Sequence, residues 1–367
     1  MPSLPDVVRP TLARLIACLA LMLPAAAPAA AADAPGVGIA AIRVTDPVSR
    51  QPADGFVFYP SSQATPGPIM IGPYPVAARF DAPPLPGAKP LVAISHGNGG
   101  SNLGHHDLAT YLASHGFVVV TINQLGDYFR DTSKVGHIEM FAGRPVQLQA
   151  AITYLLDDPQ WKPLIDPARI GVAGFSAGGY TALMLAGARP RFDRFISFCD
   201  QHPDVQDVCD PRAELEAEAR RQGQTLEQFF HRVQEQLGIY GNTADPRIKA
   251  AFAMAPLSLL FHEHSFDQVN IPVFLYYGQN DHVLLPDFNA KHIAPLIRHL
   301  YAIKEIPHAD HWVFLPPCSP ALAKDIPAMC QDPPGVDRSH WHRQINADAL
   351  AFFRQTLGVT GQQQRGQ

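Results

Sequence analysis

Gly174-Phe175-Ser176-Ala177-Gly178 sets one hydroxyl among glycines, between the apolar run RIGVAGF (169–175) and a second run of small apolar residues. A G-x-S-x-G stretch between a buried strand and a helix holds its serine on a very tight turn. Side chains two positions either side would collide with the neighbouring strand and helix, and Gly174, Gly178 and Gly179 remove those collisions. The hydroxyl of Ser176 is thereby lifted into a crevice at the carboxyl end of a sheet and at the amino end of a helix, where it could act as a nucleophile. The bland alternative is a glycine-rich turn with an incidental serine.

A serine hydroxyl needs a base to take its proton and a carboxylate to orient that base. In this topology the chain order is serine, acid, histidine. YYGQNDHVLLP puts Asp281 just after an apolar strand, so Asp281 is the expected acid; Asp287, six residues on at a helix start, is the rival. EIPHADHWVFLPPC offers His308 and His311 after the next strand. His311, out in the loop and followed by an aromatic that can pack it, is the expected base, and His308 is its competitor.

The tetrahedral intermediate of acyl transfer needs amide donors aimed at its oxyanion. The loop SHGNGG after the strand ending at Ser95 can supply them, and the expected pair is the amides of Asn98 and Ala177. HEHSF lacks the second histidine of H-E-x-x-H and HWH near residue 340 is isolated, so neither a metal nor a cofactor is expected.

These groups require a scaffold of buried strands. KPLVAISHG, FVVVTINQ, RIGVAGF, IKAAFAMAP, PVFLYYGQND and LYAIKEIPH are short and continuously apolar, as strands buried on both faces must be. Helical stretches such as LGHHDLATYLASH, RPVQLQAAITYLLDD, DFNAKHIAPLIRH and WHRQINADALAFFRQTLG lie between or after them. Alternation of this kind predicts a three-layer α/β domain with a mostly parallel sheet and helices on both faces, over residues 33–360. Residues 200–246 break the rhythm with charged helix and no strand. They read as a helical insertion, a possible lid or a solvated decoration, with Leu226, Phe229, Phe230, Val233 and Leu237 facing inward.

A chain of 367 residues that is 47% hydrophobic and 17% charged can bury one large core. Its net charge of -5 offers no basic stripe for phosphates, which argues against a nucleic-acid partner. Arg9 and Arg14 precede a short apolar run and a small-residue tract, the order of a secretory leader over residues 1–32 cut near Ala32. Export without stable membrane insertion is expected. Leu15-Ile16-Ala17-Cys18 also reads as a lipoprotein box, but almost no apolar run separates Arg14 from the cysteine. Beyond the leader remain Cys199, Cys209, Cys318 and Cys330, most simply two local bridges, Cys199–Cys209 and Cys318–Cys330, each worth about 2 to 3 kcal/mol. The second bridge would pin the loop carrying His311. Residues 361–367 read as a frayed tail.

Together, PLVAISHGNGGSNLGHHDLATYLASHGFVVVTIN, IDPARIGVAGFSAGG, GQNDHVLLP and HADHWVFLPPC resemble the α/β-hydrolase superfamily, in particular its dienelactone-hydrolase-like and platelet-activating-factor-acetylhydrolase-like branch. The resemblance covers about residues 37–358 and implies Ser176 as nucleophile, Asp281 as acid, His311 as base and the Asn98 and Ala177 amides as oxyanion donors. Two departures bear on this. Dienelactone hydrolases resemble the scaffold but use a cysteine nucleophile, so their lactone substrate is not carried over. Asp310 stands where the usual glycine precedes the histidine, which leaves His308 in competition with His311. The expected activity is hydrolysis of a small, neutral carboxylic ester through an acyl-enzyme. Acyl transfer or peptide cleavage by the same triad, and a non-catalytic binding module on the same fold, are the alternatives; oligomeric state is not legible.

Overall fold

In the computed structural model the described residues are 35–202, 209 and 211–359. The expected leader, Cys18 and the tail 361–367 lie outside them. Two long N-terminal strands, β1 (Gly36–Thr45) and β2 (Pro52–Ser61), pair antiparallel along their whole length. The short strands β3 (Ile69–Ile71) and β4 (Tyr74–Val76) form a separate hairpin, and β5 (Arg79–Phe80) returns to β1.

The apolar runs then become β6 (Lys89–Ser95), β7 (Val118–Ile122), β8 (Ile165–Phe175), β9 (Ile248–Met254), β10 (Val273–Gly278) and β11 (Leu300–Ile306). The nine-stranded sheet runs β11-β10-β9-β8-β6-β7-β2-β1-β5, parallel from β7 through β11. The chain steps from β6 outward to β7, then crosses back to lay β8 on the other side of β6. That reversal is a topological switch point, and it leaves a crevice beyond the carboxyl ends of β6 and β8, where Ser95 pairs with Gly174.

Strand side chains alternate between two cores. One face, with Val92, Ile94, Ala173, Phe252 and Phe274, packs on α1 (His106–Ser114) and the C-terminal helix Arg338–Thr356. The other, with Leu91, Ala93, Val172, Ala251 and Leu275, packs on α2 (Arg144–Asp157) and α3 (Ala177–Leu185). This is the expected three-layer α/β arrangement.

The insertion begins earlier than residue 200, at α4 (Asp193–Gln201), and continues with helices Pro211–Arg221 and Leu226–Glu235. Leu226, Phe229, Phe230 and Val233 are buried and Leu237 half-buried, in the same core as α2 and α3. Phe192 joins the two bodies, stacking on Phe230 at 5.9 Å and meeting Phe141 at 4.6 Å. The expected helix over DFNAKHIAPLIRH is instead a series of short turns, Pro286–Phe288, Ala290–Ile293 and Ala294–Leu296, because Pro286 and Pro295 each restart the backbone.

Candidate active site

Ser176 lies between β8 and α3 with φ 56° and ψ -118°, backbone that a non-glycine residue adopts only under constraint. Three hydrogen bonds supply that constraint. Its N–H donates to the Met254 carbonyl at 2.9 Å, and its own carbonyl accepts from the amides of Tyr180 and Leu257, both at 3.0 Å. The elbow leaves no room for side chains at its glycines: a methyl at Gly174 would stand 2.0 Å from the Gly178 carbonyl oxygen, one at Gly178 2.0 Å from the Ser95 oxygen, and one at Gly179 2.8 Å from Pro256.

Asp281 follows β10. One oxygen accepts from the amides of Val283 (3.0 Å) and Leu284 (2.7 Å), and the other meets His311 Nδ1 at 2.7 Å. Both side chains are 1% exposed. An ionised carboxylate only accepts, so Nδ1 carries the proton and Nε2 is left as the basic nitrogen. The His311 ring lies 4.7 Å from the ring of Phe175, the residue before Ser176. The two loops approach closely: the Asn280 amide donates to the Ala309 carbonyl at 2.9 Å, and a methyl at Gly278 would stand 2.7 Å from the Ala309 and Asp310 oxygens. Asp310 caps the turn His311–Phe314 by accepting from the Trp312 amide at 3.0 Å.

The rivals lie elsewhere. Asp287 is exposed and pairs with Lys291 at 2.5 Å, while His308 is exposed at φ 61° with its amide bonded to Gln279.

Asn98 and Ala177 open the loop after β6 and the helix after β8. Neither amide donates to another protein group among the described residues, so both are free for an oxyanion. Gly97 backs directly onto Phe175 and Ser176, where a methyl would come within 3.3 Å of the Ser176 Cβ.

No motif in the sequence marks what holds this loop. Arg144 and Asp127 form an ion pair at 2.6 Å beneath it, both 1% exposed. The Arg144 guanidinium also donates to the His96 carbonyl and to Ser95 Oγ, and Asp127 accepts from the Gly99 amide at 2.9 Å. With its nitrogen turned toward the carboxylate, the Asn98 side chain donates to Asp127 at 2.8 and 3.0 Å. Burial pushes the Asp127 carboxyl above its ordinary value, against the pull of Arg144. His96, buried and held far below its ordinary value by desolvation, accepts from the Gln124 amide at 3.1 Å and faces the Gly97 carbonyl at 2.7 Å. Only the burial of an arginine in an otherwise apolar segment could have signalled this network, and periodicity does not report that.

The insertion packs against the segment 124–143 that leads into α2. Leu215 of the insertion packs against Gly136, and His137 edges onto Phe229 at 6.3 Å. Phe198 of α4 packs on Phe288 at 4.7 Å, joining the insertion to the loop that follows Asp281. Surface hollows of about 680 and 570 Å³ meet at Tyr240 and include none of the site residues.

A mostly parallel sheet with this switch point, a strained serine after its central strand β8 and an aspartate-held histidine beyond β11 make up the α/β-hydrolase fold, and the chain has that fold. Residues 105–203 match the model of the prolyl oligopeptidase family. The chain is 35% identical over 113 residues to cutinase 2 of Thermobifida cellulosilytica, a stretch that is 30% of this chain and 39% of that protein. Among solved structures it is similar to the ferulic acid esterase from Streptomyces cinnamoneus, with a TM-score of 0.57, 19% identity and coverage of 90% of this chain and 93% of that one. It is also similar to a puromycin-hydrolyzing peptidase of Mycobacterium tuberculosis, with a TM-score of 0.50, 18% identity and coverage of 89% of this chain and 40% of that one.

Proposed function

We propose that this protein is an exported serine hydrolase acting on a small, neutral carboxylic ester. The observation that carries the reading is the buried 2.7 Å contact between Asp281 and His311, set against the ring that precedes the strained Ser176. Ser176 Oγ attacks the ester carbonyl while His311 Nε2 takes its proton, and the developing oxyanion accepts from the Asn98 and Ala177 amides. Collapse breaks the bond to the alkoxy oxygen, which leaves as alcohol with the proton from His311. Water then attacks the acyl-enzyme by the same path in reverse, releasing the acid and restoring Ser176. Asp281 stays ionised throughout and offsets the transient imidazolium charge.

The cutinase match and the ferulic acid esterase likeness favour an ester over other acyl compounds. The insertion, fixed by its shared core and by Phe288, supports a roofed site suited to short or medium acyl groups. Export rests on the leader sequence and the two disulfides; no helix among the described residues is long and apolar enough to cross a membrane. Peptide cleavage is the second reading, favoured by the prolyl oligopeptidase match. The test is labelling of Ser176 by a fluorophosphonate probe, followed by turnover on nitrophenyl esters of increasing chain length beside a proline-containing peptide amide. An unlabelled folded protein overturns the enzyme. Greater activity on the amide moves the assignment to a peptidase, and maximal activity on an insoluble polyester or long triglyceride removes the roof.

A further inference from the structure

Two histidine-rich stretches without a role above, HHD at 105–107 and HWH at 340–342, come together in space. His342 Nδ1 lies 2.6 Å from Asp107 Oδ2, and His342 Nε2 lies 2.9 Å from the carbonyl oxygen of Val313. Asn346 Nδ2 donates to the same Asp107 oxygen at 3.0 Å. Val313 belongs to the short turn that carries His311, Asp107 to the helix that follows the Asn98 loop, and His342 to the C-terminal helix. A carboxylate and a carbonyl both accept, so the imidazole must donate from both nitrogens and is therefore charged.

We infer that the His342 imidazolium, held by Asp107, is a positioning residue that fastens the His311 turn through the Val313 carbonyl. The inference rests on the hydrolase reading of His311. His342 touches no reacting atom; its part is to keep the His311 ring where a shift of about 1 Å would cost on the order of 10²-fold in rate. The Asp107 carboxyl is held well below the usual carboxylate range, and the His342 charge and hydrogen bond act in that direction against burial. The other ionisable groups on the elements packed around the ring are His105 and His106 on the Asp107 side, Asp310 and His311 on the turn, and Arg338 one turn earlier on the same helix, itself paired with Asp332. His105 and His106 are pushed down by burial.

The fastening needs both N–H groups of His342. The test uses the full chain with ¹⁵N-labelled histidine, the variants His342→Gln and Asp107→Asn, and a nitrophenyl ester. Expected are a His342 ring that carries a proton on both nitrogens, and kcat lowered about 10- to 100-fold per folded molecule in each variant with KM within about twofold. Asp107→Asn keeps an acceptor for the ring and serves should His342→Gln fold poorly. A singly protonated ring, or variants with lowered melting midpoint but parental kcat, overturn the positioning role. A parent that is not labelled at Ser176 and cleaves no ester overturns the hydrolase reading and the positioning role with it; a doubly protonated ring in that same sample identifies which of the two premises failed.

Discussion

Arg144 and Asp127 meet at 2.6 Å in a site closed to water, and between them they hold Ser95, His96 and Gly99 of the loop that presents the Asn98 amide. Removing one partner of a buried pair leaves an uncompensated charge, at about 3–5 kcal/mol, whereas replacing both by apolar side chains of similar size can be neutral. Arg144→Met should therefore lower the urea midpoint steeply. The double variant Arg144→Met/Asp127→Leu should recover part of the stability but not the turnover, because the Gly99 amide still lacks its acceptor. Urea unfolding and kcat measured on the same preparations separate the two effects; full recovery of both would make the pair purely structural.

Asp281→Asn should fold, since an amide oxygen can still accept from Val283 and Leu284, yet turnover should drop by about 10⁴-fold as His311 loses its tautomer and its counter-charge. Asp287→Asn, changing an exposed partner of Lys291, should stay within about twofold of the parent. Hydrolysis of a nitrophenyl ester by the two variants decides between them, and near-parental activity in Asp281→Asn would remove it from the triad.

Stability should fall as the medium is acidified from about pH 6.5 toward 4. Burial holds His105 down to about 4. Between its unfolded value near 6.5 and about 4 the unfolded chain therefore binds a proton that the folded chain does not, and each unit of acid removes stability. His105 alone accounts for about 3 kcal/mol of loss across that window. His96 and His106, lowered by the same cause, act in the same direction, while Asp127, raised by burial, opposes them at the acid end. Urea midpoints across this range should give a shallower slope for His105→Gln than for the parent.

The Cys318–Cys330 bridge closes a short loop four residues beyond the His311 turn. Sequence proximity alone suggests that it pins the base, but the turn has fastenings of its own in the Asp310 cap and the buried Val313 and Phe314. Replacing both cysteines by serine should therefore lower the thermal midpoint and leave kcat within about twofold. A larger loss of kcat than of stability would restore the pinning role.

How much of this was legible in the residues follows from the range of each interaction. The Ser176 elbow could be read because its signal is local: three glycines fall within the six residues 174–179, even though two of the collisions they avoid are with Ser95 and Pro256 on other segments. Asp281 was legible as the first acid past an apolar strand. His308 and His311 stayed in competition because three residues of loop can present either ring; only the approach of Ala309 to Asn280 turns one inward. The insertion starts seven residues before the charged run that marks it in the sequence, because Phe192 and Phe195 at its entry are apolar and pack on Phe230. The Arg144–Asp127 and His342–Asp107 pairs left no pattern, as partners 17 and 235 residues apart meet only through packing of whole elements.

The backbone of Ser176 has a further consequence, for selection. At φ 56° a residue bearing a side chain stores on the order of 1–3 kcal/mol that glycine would release. Ser176→Gly should thus be more stable than the parent while lacking the hydroxyl altogether. Any campaign that screens this protein for heat tolerance without an activity filter has a single-codon route to a hardier, silent variant, so the serine persists only where turnover itself is what survives.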